Sequence, residues 1–386
     1  MNSIQHNIVK IYGYNFFSGL IFAYVIERLF WASRGMTVLM VVYVEIIYSV
    51  IIVFLEVPTG MLADRFSRKT LIVLNAIFAL VEFGILIYAT NFWHFVLAVS
   101  ISAIGHALQS GAHNSLVYDS LKSTGKEEAI EKILGRINAI DYAGIIIGSL
   151  VGAVIATNYT LLTTYWVSLI SLIIAFFISL TLKDTKKLTQ NEAAWKGEDW
   201  FLVFKFILTQ GSIRYIIIIG VLSGGVITFL DEFWQIYAES VHIPVIFFGV
   251  INMLVFGMVS LGSLVASGIS QRLGFRRTLK LMVFLCSVGF AYMTIDHRAY
   301  AIIAVMVIYF ASSIMEPLIY GYLHEHALDQ YRATIESAYS MIIHLSVLVI
   351  GIPFGYLATE YSIFVAFGYL TGILLIANIL VCQGKE

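Results

Sequence analysis

Charge is what this chain most lacks. Of its 386 residues only 12% are Asp, Glu, Lys or Arg, where a soluble domain carries about 25%. With 60% of the residues hydrophobic, there is too little polar surface for a soluble globular protein. Proline is scarce as well, 4 in all, so little interrupts long helices. The two cysteines, Cys286 and Cys382, sit inside apolar runs and read as small hydrophobes, not as a disulfide or a metal pair. A net charge of -1 leaves no basic domain to hold nucleic acid. A Walker or other glycine-rich phosphate loop is missing, which argues against ATP drive within the chain. No nucleophile and base, and no set of metal ligands, stand at the spacing an enzyme needs.

What the chain has instead is apolar length. Runs of roughly 20 apolar residues mark membrane-spanning helices. Six are expected at 10–32, 36–57, 70–90, 93–119, 134–157 and 160–182, and six more at 213–239, 244–270, 277–296, 299–323, 333–357 and 361–382. The first run is long enough to span, and no cleavable signal peptide is evident. The sharpest boundary is His242-Ile-Pro244. The longest polar interruption, 183–212, reads as a linker between halves 1–182 and 213–386. All lysines and arginines except Arg28, Arg34 and Arg298 fall on one side of this arrangement. Basic loops stay cytoplasmic, so both termini are expected inside. The expected fold is an all-α membrane protein of twelve transmembrane helices in two pseudo-symmetric six-helix bundles, both termini cytoplasmic.

One stretch carries more information than the others. Gly60-Met-Leu-Ala-Asp-Arg-Phe-Ser-Arg-Lys-Thr70 lies between the second and third spans and reads as a short turn outside the hydrocarbon. Its pattern, Gly60, Asp64, Arg65, Arg68 and Lys69, resembles the signature loop of the major facilitator superfamily of secondary transporters. The resemblance implies that this cluster locks the inner gate when the cavity opens outward, with acids near the start of the eleventh span, Asp329 to Glu336, as partners. Ser67 stands where the family usually has glycine. About half the chain later, Arg276-Arg-Thr-Leu279 repeats Arg68-Lys-Thr-Leu71, with Arg272 opposite Asp64. A duplicated fold predicts such a repeat.

Acids within the spans are the second signal, since each costs about 2.5–3.5 kcal/mol at a helix centre and is kept for a reason. They include Glu27, Glu45, Glu56, Glu82, Asp141, Asp231, Glu232, Glu316 and Glu336. Glu27 resembles the embedded acid of family members that exchange protons for drugs, and an ion pair with Arg28 is the alternative. Asp141 is a second proton-coupling candidate, with Asp231 and His106. His106, Gln109 and His113 recur at helical spacing along the fourth span, and His106 stands where the family often has arginine. In the seventh span Thr228, Asp231 and Gln235 share a face beside Trp234, chemistry suited to an organic cation or a sugar. In the tenth, Ser312, Glu316 and Tyr320 share a face. Gly144, Gly148 and Gly152 form a smooth stripe for close helix packing. They resemble the exporters' antiporter motif, with Ser149 replacing its proline and Ala153 its last glycine.

These features lead to a multi-pass protein of the plasma membrane, expected in a bacterial inner membrane and working as a monomer by alternating access. Its partners are a small-molecule substrate, protons and the lipid bilayer; its energy source is the proton gradient, with no cofactor and no metal. Proton-coupled efflux by a multidrug-like antiporter is the first expectation, proton-coupled uptake of a polar nutrient such as a sugar the second, and a membrane receptor a minor third. Asp64→Asn should insert normally yet transport slowly, checked as transport rate per inserted protein; full transport by this variant removes the gate role.

Overall fold

Apolar runs of this length can satisfy their backbone in lipid only by coiling. A computed structural model of the protein describes residues 5–65, 67–123, 125, 127–184, 209–326 and 332–383; the side chains of 5–6, 56–65, 110–111, 127, 332–334 and 336–337 lie outside that description. Among the described residues it contains twelve helical spans long and apolar enough to cross a membrane. Lipid is the solvent their surfaces require: Phe54 is 75% exposed, Leu264 77% and Val349 75%.

The first span is two pieces, α1 (Gln5–Gly19) and α2 (Glu27–Ser33), joined by a 3-10 turn at Tyr24–Ile26. The others are α3 (Val38–Arg65), α4 (Arg68–Ile87), α5 (Phe92–Lys122), α6 (Ile130–Asn158), α7 (Leu161–Thr181), α8 (Gly211–Ser240), α9 (Phe248–Leu273), α10 (Phe275–Ile295), α11 (Ile303–His326), α12 (Arg332–Glu360) and α13 (Ile363–Gln383). Side-chain caps set several starts: Asn91 accepts the amides of Trp93 and His94, and Thr160 that of Thr163. After α8, His242 takes a positive φ of 61° and Pro244 follows, which is the expected boundary. Gly274 turns the chain between α9 and α10 at φ 81°, a conformation that favours glycine.

Two expectations are corrected. The stretch Gly60–Thr70 is mostly helix, not turn: α3 runs on to Arg65 and α4 begins at Arg68. The first span is not one helix but breaks at residues 20–23. Other observed ends differ from the expected ones by a few residues.

The chain divides into two compact units. One comprises Met1–Met36, Ile47–Gln190 and Pro244–Met253; the other Thr37–Ile46, Asn191–Ile243 and Leu254–Glu386. The first turns of α3 therefore pack with the second unit, where the Leu39 amide donates to Thr359 Oγ1 at 3.0 Å. Those of α9 pack with the first, where Asn252 donates to Ser149 Oγ at 2.7 Å. Most of the expected linker, 185–208, lies outside the described residues.

Within each unit the helices pair in the same way. In the first, α1 packs on α6 and α7, and α4 on α5 and α7; in the second, α8 packs on α12 and α13, and α10 on α11 and α13. A duplicated fold has this property. The second unit has an aromatic centre in which Phe229, Phe233, Phe354 and Phe367 meet ring against ring.

The break in the first span is held by its neighbours. The Ala23 amide donates to Ser168 Oγ at 3.1 Å, and Ser171 Oγ donates to the Phe17 carbonyl at 2.8 Å. The glycine stripe of α6 lies against the same stretch. A Cβ on Gly144 would meet the Phe16 carbonyl oxygen at 2.6 Å, one on Gly148 the Ile21 oxygen at 3.0 Å, and one on Gly152 would overlap the Phe22 oxygen. Gly152→Val should therefore cost about 1–3 kcal/mol by overpacking, checked as a lower melting temperature of the purified protein, with Gly84→Ala, where no atom lies within contact, as the comparison.

Candidate functional site

Each unit encloses a cavity of its own. That of the first unit is about 390 Å³ and is floored by polar residues of α4 and α5. Asn75, Ala79 and Glu82 on α4, and Ser102, His106, Gln109 and His113 on α5, repeat at helical spacing and so face it in two rows. The second row is the one expected from sequence for His106, Gln109 and His113.

The side chains are tied from helix to helix. Asn75 Nδ2 donates to Tyr14 Oη at 3.2 Å and to Gln109 Oε1. Asn15 Nδ2 donates to the Ile11 carbonyl at 2.8 Å and meets His113 Nε2 at 2.9 Å. An amide nitrogen only donates, so His113 Nε2 accepts and its ring proton sits on Nδ1. Tyr48 Oη and His106 Nδ1 are 2.9 Å apart. Gly105 lets Asn75 in: a Cβ there would lie 2.8 Å from the Asn75 Oδ1.

The acids of this unit sort themselves by environment. Glu27 lies 3.8 Å from the Arg28 guanidinium, which also covers the Trp31 ring at 4.6 Å. Asp141 packs against the end of α1, where a Cβ on Gly19 would meet its Oδ1 at 2.6 Å. Neither lines the cavity. Glu82 does: it is 8% exposed and hydrogen-bonded to Ser102.

The second unit's cavity is about 370 Å³. Thr228 and Asp231 of α8 line it with Ser312, Glu316 and Tyr320 of α11, as their spacing implies. Tyr309 donates to Asp231 Oδ1 at 2.7 Å, and Tyr320 meets Tyr339 edge to face at 5.5 Å. Trp234 and Gln235 do not line this cavity; both are buried at 6% exposure. One turn past Asp231 the same face of α8 is packed rather than open to the cavity. Among the described residues, neither cavity has a lysine or arginine in its lining.

At the far end of α4 stand the described members of the signature stretch. Arg68 pairs with the buried Asp119 carboxylate and donates to the Ser115 carbonyl at 2.8 Å, both on α5. Ser67 has extended backbone, φ -64° and ψ 131°, and its hydroxyl caps α4 by accepting from Thr70. A serine thus serves here without glycine's freedom. Asp184 accepts from the Ser67 hydroxyl and from the Lys69 amide at 3.3 Å, and Asn7 brackets Lys183 on both sides, donating to its carbonyl at 2.8 Å and accepting from its amide at 3.0 Å. The start of the linker is thereby fastened to the start of α4. The side chains of Gly60, Asp64, Arg65, Glu56 and Glu336 lie outside the described residues, as does Asp329.

A family model described as Major Facilitator Superfamily matches residues 11–349. The chain belongs to that superfamily. It is a transporter by family and not an enzyme, and a multi-pass membrane protein. Its fold is similar to that of a mutant form of the nucleoside transporter NupG, with TM-score 0.79, 14% identity and 98% of each chain covered. It is also similar to a D-xylose-proton symporter, with TM-score 0.74, 11% identity, and 100% of this chain and 98% of that one covered. A third likeness is to a POT family transporter in complex with 5-aminolevulinic acid, with TM-score 0.73, 12% identity, and 99% and 98% covered. At these identities the likeness is one of fold. No curated protein matches the chain.

Sequence reasoning passed over Asn75 and Tyr14 and gave Glu82 no role beyond that of an acid in a span. The signal was present for two of them: Asn75 and Glu82 are two helical turns apart on one face of α4. Arg68→Ala should cost about 1–3 kcal/mol, because it strips hydrogen bonds from a buried carboxylate. Thermal unfolding checks this, and adding Asp119→Asn should recover part of the loss.

Proposed function

We propose that this member of the superfamily is a proton-coupled transporter of small organic cations, working as an exporter in the plasma membrane of a bacterium. The observation that carries the reading is the lining of the two cavities: carboxylates at Glu82, Asp231 and Glu316, hydroxyls and amides around them, and, among the described residues, no lysine or arginine. Glu82 is buried, and a buried carboxylate needs a positive counterpart. A proton and a cationic solute satisfy it equally in charge and exclude each other in space. Binding one then releases the other, which makes exchange obligatory and lets an inward proton gradient drive the cation out. The tyrosines beside these acids, Tyr309, Tyr320 and Tyr339, add faces that attract a cation. Anionic solutes meet repulsion in both cavities.

A specific observation favours a second reading. The Tyr14–Asn75–Gln109 chain is suited to a neutral solute rich in hydroxyls or amides, and two of the similar folds are a nucleoside transporter and a D-xylose-proton symporter. In that case the acid binds its proton first, the neutral solute follows, and both move inward together.

A solute panel in proteoliposomes under an imposed pH gradient separates the two. Tetraphenylphosphonium or ethidium moving against the proton flow supports export; uridine or D-xylose moving with it supports uptake. Transport confined to an anion such as lactate would overturn both. Asp231→Asn should lower proton-driven tetraphenylphosphonium flux by about tenfold or more, the loss expected when one hydrogen-bonded charge is removed.

A further inference from the structure

The acid of the first unit that faces its cavity is not the one that a reading of the spans brings forward. Glu27 is engaged by Arg28, and Arg28 by Trp31. Glu82 sits one helix away, 8% exposed, with a serine hydroxyl as hydrogen-bond partner and cavity in front of it. One turn along α5 from Ser102 stands His106, whose Nδ1 is 2.9 Å from Tyr48 Oη. His106 and Glu82 line the same cavity.

We propose that Glu82 binds the coupling proton, and that His106, held by Tyr48, is the positioning residue that sets when Glu82 takes it up. The proposal rests on the proton-coupled reading above and names the group that carries it.

The surroundings of Glu82 support the assignment element by element. From the 3-10 turn, Tyr24 lines the same cavity, its ring centroid 6.1 Å from that of Phe83 beside Glu82. From α2 come Glu27 and Arg28, the one a second negative charge within electrostatic reach of Glu82 and the other paired to it. From α3 comes Tyr48, from α5 Ser102 and His106, from α6 Asp141 near Tyr24, and from α7 the phenol of Tyr165. Of these, Arg28 holds the permanent positive charge, and it is pinned between Glu27 and Trp31. The charge that Glu82 leaves in the cavity therefore has to be met by something that arrives.

The step balances simply. Glu82 carboxylate plus one proton gives the neutral acid; arrival of a monovalent cation returns the proton to water and restores the carboxylate, one positive charge for one. His106 stands where an arginine would hold a fixed charge permanently against the acid. An imidazole, unlike a guanidinium, need not carry a permanent charge there.

The test is a pH titration of the full-length purified protein by infrared difference spectroscopy, reading the C=O stretch of protonated carboxyl groups. The wild type should show a titrating band that Glu82→Gln removes and Glu239→Gln, on the exposed end of α8, leaves in place. His106→Asn should keep the band and move its midpoint, and Tyr48→Phe should move it the same way. A thermal melt of each variant shows that it is folded, and Glu82→Asp, which keeps the carboxyl, should restore the band where the amide does not. In proteoliposomes Glu82→Gln should lower proton-driven tetraphenylphosphonium flux by about tenfold or more. An unchanged band in Glu82→Gln overturns the proposal. So does a lost band with wild-type flux, because Glu82 would then bind a proton without coupling it. A midpoint indifferent to His106→Asn removes the positioning role. Absence of proton-driven flux in the wild type for every panel solute sinks the proton-coupled reading itself, a pattern distinct from a loss confined to the variant.

Discussion

In hydrocarbon every backbone amide and carbonyl must find its partner within the protein, and this chain tests that constraint where its first span breaks. Between Gly19 and Tyr24 the regular ladder ends, with the Leu20 amide still donating to the Phe16 carbonyl at 2.9 Å and the Ile21 amide to the Gly19 carbonyl at 2.8 Å. Two serines of α7 supply further partners, Ser168 to the Ala23 amide and Ser171 to the Phe17 carbonyl. The glycine stripe of α6 supplies room, since carbonyls 16, 21 and 22 occupy the places that side chains at 144, 148 and 152 would fill. The break also frees Tyr24 to reach the cavity and places Glu27 at the start of a new helix.

From this anchored core, α4 connects two tasks. One end is held by Arg68 to α5, by the Ser67 cap and by Asp184 of the linker start. About 21 Å along the helix, by rise per residue, Glu82 faces the cavity. A rigid helix with a fastened end and a charged middle is a physical means for charge in the cavity to be felt at the loop. The same α4–α5 seam carries both rows of polar residues, so the two tasks share one packed interface.

Much of this was legible in the sequence, and the reasons differ from residue to residue. Spans follow from length and hydropathy, which lipid enforces without reference to tertiary contacts. Helical spacing alone put His106, Gln109 and His113 on one face, and Thr228 with Asp231, because a period of 3.6 is a local property. The same rule misplaced Trp234 and Gln235, since it orders a face without saying how far the face stays open. The signature stretch was read as a turn because its charges cannot lie in hydrocarbon, yet a helix can carry charges past the membrane core and α3 does so through Arg65.

What the sequence by itself determined is the membrane class, the twelve spans, the repeat and the superfamily, all of which rest on local hydropathy and on one short motif. What only the tertiary structure decided is which acid matters where. Glu27 and Glu82 are equivalent as letters in an apolar run; one lies against Arg28 and the other against a serine and a cavity. The cost of a charge in a membrane depends on its partners, and those partners come from other helices, brought close by packing that no single span encodes.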